Sequence, residues 1–281
     1  MTEPGIYYGT DEAAYHADRD SISASGIKLL LKAPALYRHR LDNPEHKDVF
    51  DFGTAAHRKV LGVGAEVVEV RVEVETKRDG VKQTILADSW AFKAASDERD
   101  RLRAEGKVAL LPADCRKVEA MADVLSTHTT AMRLLSKGQP EVSAYATDEP
   151  TGLLRRCRFD WLGEGILTDY KSCADASPSG FGNAVARYGY DLQAAYYLDI
   201  ARDLGHPAKA FAFIAQEKEP PYLVEVYDLD EDFLARGRRR YREGLERLRD
   251  CLATDLWPGY TGRDFTTLPA PRWALYESET A

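Results

Sequence analysis

Asp160, Asp169 and Lys171 are the residues whose types and spacing best suit chemistry in this chain. They lie in RFDWLGEGILTDYKS, residues 158–172, where two runs rich in aromatic and β-branched residues flank Gly163-Glu164-Gly165. Such runs read as strands, and the glycines supply the backbone freedom of a tight turn. With Glu164-Gly165 as a two-residue loop, paired positions sum to 329 and Asp160 faces Asp169. Directly opposed residues hold their Cβ atoms about 4.5 to 5.5 Å apart, where like charges repel unless a proton or cation lies between them. Lys171 follows Asp169 by one strand period, so it projects to the same face while Tyr170 points away.

Two carboxylates and a lysine on one face fit metal-assisted hydrolysis of a phosphodiester. Asp160, Asp169 and the backbone carbonyl of Tyr170 offer oxygen ligands to Mg²⁺, with Mn²⁺ as a substitute. A second ion about 3.5 to 4 Å away would clamp attacking and leaving oxygens, and the number of ions stays open. Lys171 would orient the attacking water, favour its hydroxide form and neutralise charge developing on phosphorus. The residues alone leave an equal alternative, a surface hairpin with an ordinary, weak cross-strand ion pair. Acid-x-Lys recurs at Glu45/Lys47, Glu75/Lys77 and Glu105/Lys107, but only Asp169/Lys171 sits on an apolar strand opposite another carboxylate.

Gln193 and Tyr197, four apart in YDLQAAYYLDIA, share a helical face. Over the acidic spot, Gln193 would reach bound water or phosphate, with Tyr197 packed beside it. The same helix can bury Leu192, Ala195 and Tyr196. Taken singly, His57 reads as a semi-buried histidine and Glu141 as a solvated glutamate. Arg236, Arg238, Arg239, Arg240 and Arg242 form the densest basic run, either a face following a phosphate backbone or a solvated face interleaved with Glu243 and Glu246.

The elements that must position these residues follow from pattern. Residues 1–20 are polar and expected to wrap the surface, and serine caps at 21–25 lead into an apolar periodic run broken at Pro34. A helix over 52–61 carries His57. Strict alternation over 67–74 predicts a half-buried strand, turned by residues 77–80 into a partner over 81–86. Helices are expected over 89–105 and 113–137, the second opened by Pro112. From 141 the pattern becomes a three-stranded antiparallel meander. A loop, a helix over 190–204, strands over 208–216 and 222–227 and a long helix over 231–253 then follow. The proline- and aromatic-rich tail is expected to lie irregularly over the core.

At 281 residues, 44% apolar and 30% charged, the composition is that of an ordinary globular protein. No apolar run is long enough for a membrane span and the N-terminus lacks signal-peptide features, which sets a cytoplasmic expectation. Cysteines 115, 157, 173 and 251 form no CxxC pair, against a zinc or iron–sulfur site. A net charge of −8 argues against indiscriminate electrostatic binding to nucleic acid, though not against a local basic track.

GTAAH at 53–57, Glu141, RCRFDWL with Asp160, TDYKS with Asp169 and Lys171, and QAAYY with Gln193 and Tyr197 stand in the order seen in PD-(D/E)XK nucleases of the RecB/RecE type. SASG at 23–26 with LLLKAPALYRHRL resembles the N-terminal part of the exodeoxyribonuclease VIII group carried by phages and prophages. The resemblance implies an α/β (α+β) fold with a central mixed β-sheet flanked by helices, a restriction-endonuclease-like core. One nuclease domain would span 1–281: a helical N-terminal segment over 1–50, a core over 51–254 and an irregular tail over 255–281. It further implies Mg²⁺-dependent degradation of linear double-stranded DNA from 5′ ends, for recombination, leaving 3′ strands for a single-strand annealing protein.

His57, Glu141, Asp160, Asp169 and Lys171 match the family's catalytic and metal positions. Ser23, Ser25, Arg156 and Arg187 are the expected DNA contacts. The cysteine cluster that holds an iron–sulfur centre in some relatives is missing, so no such cluster is expected. A ring-shaped homo-oligomer, as in the group, stays open, as do polarity and processivity. The competing functions are a structure-specific or single-strand endonuclease of the same fold and a catalytically silent DNA-binding module.

Overall fold

The computed structural model describes residues 2–43, 51–78, 81–271 and 274. Its elements begin with β1 (Gly5–Tyr7), α1 (Glu12–Ala17), β2 (Ile22–Ser23), α2 (Ala24–Lys32), α3 (Pro34–Asp42) and α4 (Asp51–Leu61). A middle group follows: β3 (Val67–Glu69), β4 (Glu73–Arg78), β5 (Val81–Leu86), α5 (Lys93–Ala104), β6 (Val108–Leu110), α6 (Pro112–Ser126) and α7 (Thr129–Leu134). The last group is β7 (Gln139–Asp148), β8 (Leu153–Leu162), β9 (Ile166–Cys173), α8 (Pro178–Tyr188), α9 (Tyr190–Asp203), β10 (Ala210–Glu217), β11 (Val224–Asp228) and α10 (Glu231–Thr254).

The last group builds the frame. β7, β8 and β9 form the expected antiparallel meander, β10 joins β9 in parallel and β11 closes that edge antiparallel. A parallel pair needs a crossover, and α8 with α9 supplies it. β1 extends the opposite edge beside β7, giving a seven-stranded mixed sheet with β2. β2 pairs with β8 at Arg155 and Arg156, whereas β9 pairs with it at Trp161 and Leu162. Between those two contacts β8 has no strand partner on that side.

Apolar side chains cover both faces. Residues of α2, α8, α9 and α10 pack with Val142, Ala144, Phe159 and Phe213 in one core. Residues of α4, α6 and α7 pack with Tyr170, Ile214 and Val224 in the other. The caps are local and legible: Ser23 Oγ accepts from Gly26 N at 3.2 Å to start α2, and Pro34 and Pro112 open α3 and α6. Among the described residues no helix is long and apolar enough to cross a membrane.

Several expectations change. The alternating run over 67–74 is two strands: β3 pairs in parallel with β6, β4 pairs with β5, and Val70 between them is buried beside Leu102 and Ala109. The tip of the expected 77–80 turn, Asp79-Gly80, lies outside the described residues, as does Glu45/Lys47. The helix expected over 113–137 breaks at His128, whose Nδ1 accepts from Ala131 N to start α7. Residues 2–20 lie at the surface as expected, Tyr15 alone among them being buried, and they add two short elements there, β1 and α1. The stretch before Tyr190, expected as loop, contains α8, capped by Ser177 and ended by Gly189 at φ +67°.

The basic run on α10 is a half-exposed face most of whose arginines are engaged by carboxylates. Arg236 and Arg240 reach the fully buried Asp191 at 2.5 and 3.1 Å, Arg238 reaches Asp199 at 3.3 Å, and Arg242 pairs with Asp148. These arginines fasten α10 to α9 and to the end of β7. Only Arg239 of the run is exposed.

Candidate active site

The hairpin has the expected register. Trp161 pairs with Thr168 and Leu162 with Leu167, both sums being 329. The next step would set Asp160 against Asp169, but the ladder opens there and Asp160 Oδ2 accepts from Tyr170 N at 3.0 Å. On the other side, Val142 pairs with Phe159 and Pro140 with Trp161, which sets Glu141 against Asp160. That ladder step is also missing, because Glu141 lies in the left-handed region at φ +52°. Such a backbone on a non-glycine residue costs on the order of 1–3 kcal/mol and gathers at functional sites. Phe159 and Leu162 enter the same core, so the two-residue alternation of β8 breaks between them. Asp160 therefore occupies a gap in both ladders, with a carboxylate in register on either side.

Helices complete the cluster. From α4, His57 places Nε2 2.8 Å from Asp160 Oδ2 and Nδ1 3.3 Å from Glu141 Oε1. Arg158 donates from Nε to Glu141 and, at 3.1 Å, from Nη1 to the Thr10 carbonyl. Lys171 Nζ is 2.5 Å from Asp169 Oδ2, and Gln193 Nε2 donates to Asp169 Oδ1 at 2.6 Å. Along α9, Gln193 and Tyr197 are the only residues between 191 and 201 that are not fully buried, so their shared face opens toward the site. Tyr197 packs edge-on against Phe159 at 5.6 Å.

The two aspartates are driven in opposite directions. Burial raises Asp160, yet the charge and hydrogen bond of His57 overcome it and hold the carboxyl below its usual range. Burial and the Asp160 charge push Asp169 up to about 6, against the pull of Lys171. Burial lowers His57, but Asp160, Glu141 and Asp169 together push it up to about 9. Lys171 is likewise disfavoured by burial and held above its usual value by Asp169 and Asp160. Burial leads in raising Glu141.

These residues fit a divalent cation. Ligand atoms of His57, Glu141 and Asp160 lie within 4.8 Å of one another. Asp169 Oδ2 is buried, with Lys171 Nζ 2.5 Å away as its partner. Carboxylate oxygens of this kind suit hard cations, and a protonated His57 supplies positive charge at the same place.

The other expected residues are held by different partners. The Tyr170 side chain points to the opposite core as expected, where its hydroxyl donates to Gln216 Oε1 at 2.8 Å. Ser23 caps α2 and Ser25 is exposed on the same helix. Arg187 is exposed near the end of α8, its guanidinium 5.7 Å over Tyr188. Arg156 departs from the expectation of a DNA contact: it is 11% exposed and donates to the Asp18 and Ser21 carbonyls and to Ser21 Oγ, tying the N-terminal segment to β8.

Three neighbours escaped the sequence reading. Arg158 carried no signal beyond its strand. Tyr190 stands three residues before Gln193 on the same helical face, a spacing that could have found it. Its ring lies 5.1 Å from Lys171 Nζ and 5.7 Å from Lys28 Nζ. Lys28 is pushed down to about 8, first by burial and then by Lys171.

A crystal structure of a “Putative exonuclease” from Eubacterium rectale matches this fold with a TM-score of 0.59 at 14% identity, over 96% of each chain. At that identity the likeness concerns the fold. No curated protein matches the sequence. The family described as a PDDEXK-like domain of unknown function (DUF3799) matches residues 23–264, a span holding every member of the acidic cluster. A mixed sheet with carboxylates at its opened ladders and a lysine one period on belongs with that match: the chain is a member of this PDDEXK-like family, within the PD-(D/E)XK nuclease superfamily.

Proposed function

We propose that this protein is a Mg²⁺-dependent exonuclease that degrades linear double-stranded DNA from 5′ ends, leaving 3′ strands for an annealing partner in recombination. Family membership supports a nuclease, and the likeness to a structure described as a “Putative exonuclease” favours exonuclease action. The observation that carries the reading is the row Glu141, Asp160, Asp169 across three adjacent strands, with Lys171 against Asp169. Three carboxylates in one row repel one another unless cations face them, a role that His57, Arg158 and Lys171 fill and that a divalent ion would share.

Asp160, Asp169, Glu141 and His57, with the Tyr170 carbonyl, are the groups that would hold the metal. A bound divalent ion supplies Lewis-acid charge to the phosphate. Lys171, kept protonated by its two aspartates, directs hydrogen bonds at the attacking water and offsets charge growing on phosphorus. Gln193 fixes the rotamer of Asp169 through its 2.6 Å bond, and Tyr197 walls the apolar side.

The test is a time course on linear duplex labelled separately at 5′ and 3′ ends, with Mg²⁺, Mn²⁺ or chelator, beside covalently closed circular DNA. Early release of the 5′ label, intact circles and silence in chelator support the proposal. Cut circles point to an endonuclease, and no cleavage with either metal would remove the catalytic reading.

A further inference from the structure

Next to the acidic cluster lies a chain of rings and cations that the reaction described above does not use. Tyr188, the last residue of α8, is 54% exposed. Gly189, at φ +67°, turns the chain into α9, and Tyr190 follows. The Tyr188 and Tyr190 ring centroids are 5.8 Å apart at 39°. Tyr190 carries the ammonium groups of Lys171 and Lys28 at 5.1 and 5.7 Å, and Tyr188 carries the Arg187 guanidinium at 5.7 Å. A Cβ on Gly189 would stand 3.1 Å from Lys28 Cε and 3.4 Å from Arg240 Nη1, so Lys28 and one further cation, Arg240, which pairs with Asp191, crowd the joint between the rings. Among the described residues Lys28 has no carboxylate within salt-bridge distance.

We propose that Tyr188 is a stacking platform for an unpaired nucleobase, with Tyr190 and Lys28 leading the attached phosphate toward Lys171. This rests on the nuclease reading and narrows its substrate: the reacting strand enters as an unpaired nucleotide, at a frayed or single-stranded end. The argument is chemical. An exposed ring beside a phosphodiester-cleaving site meets bases, and every base has a π-face to offer whatever its sequence. Inside a duplex both faces are already stacked, so Tyr188 meets a base at the end of a strand, and that base is fully free to enter between ring and cations when it has left the helix. The cations match the phosphate that such a base brings with it. Tyr188 serves binding and positioning, not the chemical step.

The experiment uses the full chain and a single-stranded oligonucleotide with 2-aminopurine at its end, titrated in Ca²⁺, beside a blunt duplex and a duplex with two unpaired terminal nucleotides. Wild-type protein quenches the fluorophore. Tyr188→Ala loses the quench and binds the single strand roughly 5- to 100-fold more weakly, whereas Tyr188→Phe keeps both. In Mg²⁺, Tyr188→Ala raises KM with kcat nearly unchanged, and the preference for the unpaired end over the blunt duplex shrinks. Thermal melting checks that both variants are folded.

Quench and affinity unchanged in Tyr188→Ala, with wild-type cleavage present, overturn the platform alone. Failure of wild-type protein to cleave any DNA overturns the nuclease reading and the platform with it.

Discussion

The two ends of β7 both carry a carboxylate drawn in from solvent, buried at Asp148 and half-buried at Glu141, and they are built to opposite purposes. At its far end Asp148, 2% exposed, takes Arg242, Thr151 Oγ1 at 2.6 Å and the charge of Arg155 at 3.8 Å. Arg155 in turn holds Asp203 at 2.6 Å. Burial would raise Asp148, but Arg242 and Thr151 prevail and hold it below its usual range. At the near end Glu141, Asp160 and Asp169 stand in a row with Arg158, Lys171 and a titratable His57, and Asp169 is pushed up to about 6. The first cluster satisfies its charges from within. The second leans on a titratable His57 and leaves Asp169 pushed up to about 6, so a proton or cation from outside can change its balance, and this is what separates a fastening from a site.

The largest expected effect breaks that distinction if it fails. Lys171→Ala or Asp169→Asn should lower DNA cleavage by at least about 10³-fold, the scale of removing a group that meets charge developing in the transition state. The circular dichroism spectrum should stay that of wild type, and full cleavage in either variant would make the near cluster another fastening. Asp148→Ala should do the reverse. Leaving Arg242 without its carboxylate, while Arg155 keeps Asp203, should cost about 3 kcal/mol in urea unfolding, with cleavage per folded molecule unchanged. Divalent metal sharpens the contrast: at about 100 times its Kd, Mg²⁺ or Mn²⁺ should stabilise wild type and Asp148→Asn by about 2.7 kcal/mol, and Asp160→Asn not at all.

The smallest effect is a pH dependence. A depressed folded pKa means that the unfolded chain binds the proton more readily, so the contribution of Asp148 is fully present above its unfolded pKa of about 3.9. It disappears as pH falls through the lower folded value. The stability gap between wild type and Asp148→Asn should therefore be constant near neutrality and close in acid.

What was legible in the sequence follows from locality. The turn chemistry at 163–165 fixes the register of β8 and β9, and the spacing of Gln193 and Tyr197 shows which face of α9 opens. The opening of both ladders at Asp160 was not legible, because it depends on the φ of Glu141 and on a side chain from α4. Alternation over 67–74 predicts extended backbone without naming its partner, and there each half pairs with a different strand. α8, expected as loop, carries a signal that could have found it, Ser177-Pro178, a cap followed by proline at the first helical position, and Gly180 and Gly182 weaken that signal. The arginines of α10 show the limit most clearly. A basic run looks ready for phosphate until Asp191, Asp199 and Asp148, all distant in sequence, are seen to occupy it.

The bond from Arg158 to the Thr10 carbonyl has a consequence for where the working unit starts. The family signature begins at residue 23, yet Thr10 braces the arginine that holds Glu141, Asp18 and Ser21 anchor Arg156, and β1 lines the strand on which Glu141 sits. Trimming the protein to its signature would keep every acidic ligand and remove the scaffolding behind one of them. A shortened version that folds but cleaves poorly would be the mark of a domain whose chemical boundary lies upstream of its recognisable one.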